Sequence, residues 1–259
     1  MINRKMQTNS TTRFSHTVEN YIRYRPGYPP ELLGFMINEL GLTGQSVVAD
    51  IGSGTGKLTE HFLKNGNLTY AVEPNRPMRE AAERLFGHFP TLKSMDGTAE
   101  ATHLPDRCAD FVVAAQAFHW FDREAARREF LRILKPGGWA LIVWNDRNDT
   151  RSAFMRAYDG FLRNFSTDLD QIDHRKIGSE KLEPFFGKNG YGYRELDYLQ
   201  RFDLDGVRGR YLSCSYAFDE KHPLHEAAMK SLAAIFDEHA ENGEVEMWYL
   251  TQVYFGQMG

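Results

Sequence analysis

Three segments of the chain hold residues whose types and spacing could do chemistry. The first is Val48-Ala49-Asp50-Ile51-Gly52-Ser53-Gly54-Thr55-Gly56-Lys57. Glycines at 52, 54 and 56 let the backbone turn sharply and approach a ligand where a Cβ would collide. A helix that follows can point its free N–H groups at that ligand. The second is Glu73, 21 residues after Gly52, where a carboxylate can accept hydrogen bonds from both hydroxyls of a ribose. The third is Gln116-Ala117-Phe118-His119-Trp120-Phe121-Asp122, whose His119 could move a proton near neutral pH.

Three nucleotide-binding readings compete for the glycine loop. A P-loop that ends in Gly56-Lys57 needs Gly at 51 and Ser or Thr at 58, and the chain has Ile51 and Leu58. A dinucleotide fingerprint counted from Gly52 needs its third glycine at 57, where Lys57 stands. The actual order is Asp-x-Gly-x-Gly-x-Gly. A purely structural turn stays open, and Glu73 supports an adenosine ligand without choosing which one. His222 and His225 could share a helix face, but no carboxylate or cysteine pattern joins them, so no metal site is expected.

The elements that must position these residues alternate along the chain. After the stiff segment 26–30, Leu33, Met36, Ile37 and Leu40 recur at helical spacing and Gly41 closes the helix. Val47-Val48-Ala49 is a strand that ends at Asp50, and Lys57 to Lys64 reads as a helix. Leu68 to Val72 is a strand ending in Glu73, followed by a helix with Pro77 in its first turn. A short strand from Leu92 to Met95 ends at Asp96, and Phe111 to Ala115 reads as a strand buried on both faces. Asp122 can cap a helix that stops at Lys135-Pro136-Gly137-Gly138, before a fifth strand over Trp139 to Trp144. Such alternation implies parallel strands with right-handed helical crossovers, and ligands on such sheets bind outside the carboxyl ends of the strands. Asp50, Glu73, Asp96 and Gln116 all fall there.

After Asn145 the pattern changes, and Phe154, Tyr158, Phe161 and Phe165 form an aromatic stripe on one helix face. Such a stripe either fills core or belongs to a lid that walls a substrate pocket. A strand-like stretch follows near Tyr193 to Phe202, and Val245 to Gly256 alternates as an edge hairpin strand.

The bulk properties bound the function. The 259 residues suit one α/β domain, with or without a lid. No apolar run approaches the roughly 20 residues of a membrane span, and the N-terminus has no apolar stretch typical of a secretory signal. Cys108 and Cys214 are too few for a disulfide framework or zinc site, which makes the cytoplasm the expected compartment. The net charge of −4 argues against nucleic acid as a partner. Residues 1–30 nevertheless carry Arg4, Lys5, Arg13, Arg23 and Arg25 against Glu19 alone, a basic arm on an acidic body. The arm could contact an anion or be a solvated terminus.

A resemblance narrows these options. Asp96-Gly97-Thr98-Ala99-Glu100 with Leu104-Pro105, the segment Gln116 to Asp122, and Leu134-Lys135-Pro136-Gly137-Gly138 occur in an order and spacing similar to the class I methyltransferases that use S-adenosylmethionine (SAM). The group resembled is the broad type 11 family, and His119-Trp120-Phe121-Asp122 is similar to its trans-aconitate methyltransferase branch. The resemblance covers residues 20–145 well and the rest weakly. It implies a Rossmann-like α/β fold with a mostly parallel seven-stranded sheet flanked by helices and a helical lid after the fifth strand. The expected division is 1–145 for an N-terminal cap and SAM-binding core, 146–192 for the lid, and 193–259 for strands completing the same domain.

By the same resemblance, Asp50, Gly52, Ser53, Gly54 and Gly56 surround the methionine part of SAM and Glu73 holds the ribose. Asn75 and Met78 lie beside the adenosine, and Thr98, Ala99 and Glu100 border adenine. Relatives often place Asp where Thr98 stands. Gln116 approaches the reacting end through its backbone. Tyr21, Tyr24 and Arg25 cover the cofactor, with Arg25 a partner for its carboxylate or an ordinary surface arginine. Tyr21, Phe118 and Trp120 wall the substrate pocket. The implied reaction is in-line methyl transfer to a small carboxylate or hydroxyl acceptor, leaving S-adenosylhomocysteine, with His119 as base if a hydroxyl is used. A non-catalytic SAM-binding regulator and an NAD-dependent oxidoreductase are the alternatives. The partner expected is the small acceptor, with no nucleic acid or membrane, and the chain a monomer or homodimer.

Overall fold

The computed structural model describes residues 18–167 and 179–259. Arg4, Lys5 and Arg13 of the basic arm lie outside the described residues, as does part of the 146–192 segment. The first helix is α1 (Val18–Tyr24), followed by α2 (Pro30–Leu40), β1 (Val48–Ile51), α3 (Thr59–Lys64), β2 (Thr69–Val72), α4 (Arg76–Phe86) and β3 (Leu92–Met95). Next come β4 (Ala109–Ala115), α5 (Arg123–Ile133), β5 (Leu134–Arg147), α6 (Ala153–Asn164) and α7 (Ser179–Phe186). The remainder is β6 (Gly192–Phe202), α8 (Leu204–Leu212), α9 (His225–His239) and β7 (Val245–Gly256). No described helix is long and apolar enough to cross a membrane.

Local signals set most boundaries. Asn75, Asp122, Ser152 and Asp203 each cap a helix by accepting a backbone N–H with the side chain. Gly41 ends α2 in the left-handed conformation at φ 76°. The central strands β1 and β4 are apolar and buried on both faces, as a sheet covered by helices requires. The helix after the glycine loop starts at Thr59, not Lys57, because the loop's turns continue through Leu58. The fifth strand is longer than its apolar centre, running from Leu134 to Arg147: Leu134 pairs with Ala109 of β4, and Lys135–Gly138 bulges out of register, with Gly137 at φ 77°, before pairing resumes at Trp139.

The seven strands lie in the order β3-β2-β1-β4-β5-β7-β6. The first five pair in parallel, but β7 is antiparallel to both β5 and β6, so the sheet is mixed and not purely parallel. Val245–Gly256 is therefore an interior strand and not an edge hairpin strand; β6 forms the edge. Its alternation reflects two unequally buried faces, which an interior strand can have as readily as an edge strand.

One core lies against each face of the sheet, and a third is built at the carboxyl end. Phe130, Phe185 and Phe186 join Ala49, Val112 and Ile142 on one face; Phe35, Met36 and Phe62 join Val48, Val113 and Leu141 on the other. The aromatic stripe belongs to the third, where Phe154, Tyr158 and Phe161 of α6 pack with Tyr211 of α8, Phe236 of α9 and Tyr249 of β7. Helix α7 packs instead against α5 beside the sheet. Helix α1 lies on α8, where Gly209 is needed: a Cβ there would come within 2.2 Å of the Tyr24 ring.

Candidate functional site

A cavity of about 600 Å³ opens at the carboxyl ends of β1, β2, β4 and β5 and is covered by α1 and α8. Its floor is the glycine loop. Gly52, Gly54 and Gly56 have φ of 70°, 58° and 84°, a region L side chains disfavour. A Cβ on Gly52 would stand 2.6 Å from the Cβ of Ala117, so the turn after β1 and the turn after β4 meet only because position 52 lacks a side chain. Gly56 serves packing instead: a Cβ there would strike Phe86 at 2.9 Å, and the residue is not on the cavity wall.

Parallel pairing of β1 with β2 brings Asp50 and Glu73 to the same end of the sheet. The Glu73 carboxylate accepts the N–H of Gly54 through Oε2 and that of Asn75 through Oε1, both at 2.8 Å. Burial pushes Glu73 up from the usual carboxylate range, while these two N–H groups pull it back. Asp50 is buried more completely: burial, opposed by a hydrogen bond from Thr59 and aided by the neighbouring Glu73 charge, raises it to about 7. Its Oδ2 accepts the Thr59 hydroxyl at 2.6 Å, and its Oδ1 is buried with no hydrogen-bond partner among the described residues. An orphaned carboxylate oxygen on a cavity wall suits a cationic or hydrogen-bond-donating ligand group.

Thr98, Ala99, Glu100 and Met78 line the same cavity. Glu100 also accepts the N–H of Asp122 at 2.8 Å, which ties this turn to the start of α5. At the end of β4, Gln116 has φ 55°, and its Nε2 donates to the carbonyl of Asn145 at 3.0 Å. A non-glycine residue there carries about 1–3 kcal/mol of strain, which is typical of a functional turn. His119, Trp120 and Phe121 reach the wall from the following 3-10 turn, Phe118–Trp120.

Four expected residues are not on the wall. Phe118 points away from the cavity into the core, edge-on to Phe121, Trp144 and Phe185. Tyr24 packs on Gly209, and Gly56 on Phe86. Asn75 caps α4, accepting the N–H of Met78 at 3.1 Å. Tyr21, Arg25, Asp50, Gly52, Ser53, Gly54, Glu73, Met78, Thr98, Ala99, Glu100, Gln116, His119 and Trp120 are brought together. Arg25 spans from α1 to the carbonyl of Ser213, which both Nε and Nη2 reach at 3.3 Å. His222 and His225 are taken up locally, one stacked on Phe218 and the other at its carbonyl.

The sequence reading missed a basic stretch of the wall: Lys57, Arg147 and Arg210, with Ser215 and Tyr216. Lys57 donates to the carbonyl of Ile22 at 2.9 Å, and burial, only partly offset by Glu60, lowers it to about 8. Arg210 donates to the Tyr249 hydroxyl at 2.9 Å and to Cys214 Sγ at 3.1 Å. Burial alone would raise the Cys214 thiol, but Arg25 and Arg210 outweigh it and hold it at about 7. Arg147 was within reach of the strand-end rule that found Asp50 and Glu73, had the fifth strand been carried to its true end. Arg210 arrives on a helix between β6 and β7 and has no local signal.

A family model described as a methyltransferase domain matches residues 49–142. An uncharacterized methyltransferase of Mycobacterium tuberculosis is 38% identical over 136 residues, covering 52% of this chain and 53% of the relative, so the match spans about half the length of that protein. An uncharacterized methyltransferase-like protein of Schizosaccharomyces pombe is 34% identical over 248 residues, covering 93% of each chain. Among solved structures, one from Anaeromyxobacter dehalogenans described as a type II methyltransferase aligns over 90% of this chain and 98% of its own, with 19% identity and a TM-score of 0.62, a likeness of fold.

Proposed function

This chain belongs to the methyltransferases, and on that premise we propose that it moves the methyl group of SAM to a small-molecule acceptor carrying a carboxylate or hydroxyl. The observation that carries the reading is the joined unit of Asp50, the glycine loop and Glu73 on one wall of the cavity. It presents an orphaned buried carboxylate oxygen, a backbone cradle without Cβ atoms and a second carboxylate whose remaining lone pairs suit ribose hydroxyls.

On this reading Glu73 holds the ribose, Thr98, Ala99 and Glu100 border the adenine, and Asp50 with Ser53 and Gly54 receives the amino-acid end. SAM supplies an already activated methyl group on a sulfonium, so the chain's work is orientation and exclusion of water. Gln116, locked at positive φ by its bond to Asn145, sets the turn that divides the cofactor side from the acceptor side. Trp120 and Phe121 give the acceptor an apolar wall, and His119 stands where it can accept a proton from a hydroxyl. The cavity size falls in the usual range for small-molecule sites, about 300–1,000 Å³. The His119–Asp122 segment supports a place near the trans-aconitate branch.

Calorimetric titration with SAM, S-adenosylhomocysteine and NAD tests the proposal on wild type and Glu73→Ala. SAM and S-adenosylhomocysteine are expected to bind wild type and to bind the variant about 100-fold more weakly, the loss of a charged hydrogen-bonding group at a ribose. NAD binding without SAM binding would overturn the reading.

A further inference from the structure

Resting on the methyltransferase reading above, we propose that Arg147 and Arg210 hold an oxyanion of the methyl acceptor, so that this enzyme selects acceptors bearing a carboxylate or a phosphate. Strand order separates this subsite from the cofactor wall: Glu73 follows β2, Asp50 is the penultimate residue of β1, Gln116 follows β4 and Arg147 ends β5. The cavity thus carries the Asp50 and Glu73 carboxylates at its β1–β2 end, with Lys57 close by, and the Arg147 guanidinium, next to Asp146, at its β5 end. A cationic cofactor and an anionic acceptor would each meet the opposite charge, with the β4 turn between them.

The two guanidiniums are poorly matched by the chain's own groups. Arg210 is 3% exposed, and its described partners are the Tyr249 hydroxyl and the Cys214 sulfur. Arg147 donates from Nη1 to the Tyr216 hydroxyl at 3.2 Å, and its Nε is buried with no partner. Neither has a carboxylate partner among the described residues, and the acidic group nearest Arg210 is the Cys214 thiol held at about 7. A guanidinium has five N–H donors, and burying one without an anion is costly unless a ligand supplies the missing acceptors. The carboxylate nearest along the chain is Asp146, which also reaches the wall. Hydroxyls of Tyr158 and Tyr216 complete the surroundings of Arg147, and Cys214 lies within reach of both arginines. The carboxylate of the cofactor has its own candidates: Lys57 directly follows the glycine loop, and Arg25, just after α1, sits beside it.

Carboxylate and phosphate both fit a guanidinium fork, and the test separates them. Malonate and inorganic phosphate are titrated separately into the full chain, with and without S-adenosylhomocysteine, for wild type, Arg147→Gln and Arg210→Lys. At least one anion is expected to bind wild type and to bind Arg147→Gln about tenfold more weakly or worse, while S-adenosylhomocysteine affinity changes by less than about twofold. Arg210→Lys keeps the buried charge but loses the fork; it should weaken the same anion while a thermal melt shows the chain still folded. Malonate alone assigns a carboxylate acceptor and phosphate alone a phosphorylated one. The proposal is overturned if neither anion binds wild type at millimolar concentration, or if Arg147→Gln binds it as well as wild type. It is also overturned if S-adenosylhomocysteine affinity falls in step, since Arg147 would then serve the cofactor's carboxylate. Failure of S-adenosylhomocysteine to bind wild type would sink the cofactor reading separately, because anion binding is also read in its absence.

Discussion

The Thr59 hydroxyl donates to Oδ2 of Asp50 at 2.6 Å and leaves Oδ1 of the same carboxylate buried without a hydrogen-bond partner among the described residues. One oxygen of this carboxylate is tied to the fold, and the other is left unsatisfied on a residue that lines the ligand cavity.

Its raised pKa has two pH signatures. The folded chain holds the Asp50 proton more tightly than the unfolded chain, whose aspartates titrate near about 4. This favours folding at low pH, and the advantage is lost as pH rises through the folded value of about 7. Ligand-free stability from urea titration is therefore expected to fall across that window in wild type and to flatten there in Asp50→Asn. A cationic ligand favours the ionised carboxylate, so SAM affinity should rise through the same window, by up to about tenfold per pH unit, and should lose this dependence in Asp50→Asn. A flat wild-type profile would show that Asp50 is ionised throughout.

Gly52 and Ala117 make the closest approach between the loops after β1 and β4. Gly52→Ala would place a Cβ 2.6 Å from that of Ala117 at a φ of 70°. The expected cost is about 2–4 kcal/mol from overpacking and backbone strain together, read from urea unfolding, with loss of SAM binding. Gly66→Ala is the control: φ is 89° but a Cβ there would meet nothing within 4 Å, so only the backbone term of about 1 kcal/mol is expected.

His119 should matter according to the acceptor. Methylation of a carboxylate requires no proton removal, so His119→Ala is expected to lower kcat by less than about tenfold with such a substrate. With a hydroxyl acceptor the loss should reach about 100-fold or more. S-adenosylhomocysteine affinity should be nearly unchanged in both cases. Equal losses on both acceptor types would assign His119 to positioning instead of proton transfer.

The first half of the fold was legible because its strands are buried on both faces and end in punctuating residues. Val47 to Asp50 and Leu68 to Glu73 are apolar runs closed by an acid; the observed β2 lies within its run, and β1 overlaps its run and continues one residue further, to Ile51. Strand β7 was visible as an element and misplaced in the sheet, because side-chain alternation reports how deeply each face is buried and is silent about the neighbouring strands. Phe118 was expected in the pocket from the family resemblance; in a one-turn helix, adjacent aromatics point in different directions, and Phe118 goes to the core while His119 and Trp120 reach the cavity. The basic wall escaped because Arg147 lies beyond the apolar part of its strand, and Arg210 comes from a helix more than sixty residues later.

The position of β7 bears on how the chain is made. It is the last of the seven strands in sequence, yet it lies between β5 and β6. While the polypeptide is being synthesised, β5 has no partner on one side and β6 has nothing to pair with until β7 emerges. The nascent chain therefore carries unpaired strand edges, which invite pairing with other chains. Because the Arg210 helix is threaded between β6 and β7, the basic end of the cavity is completed only when that late insertion closes the sheet.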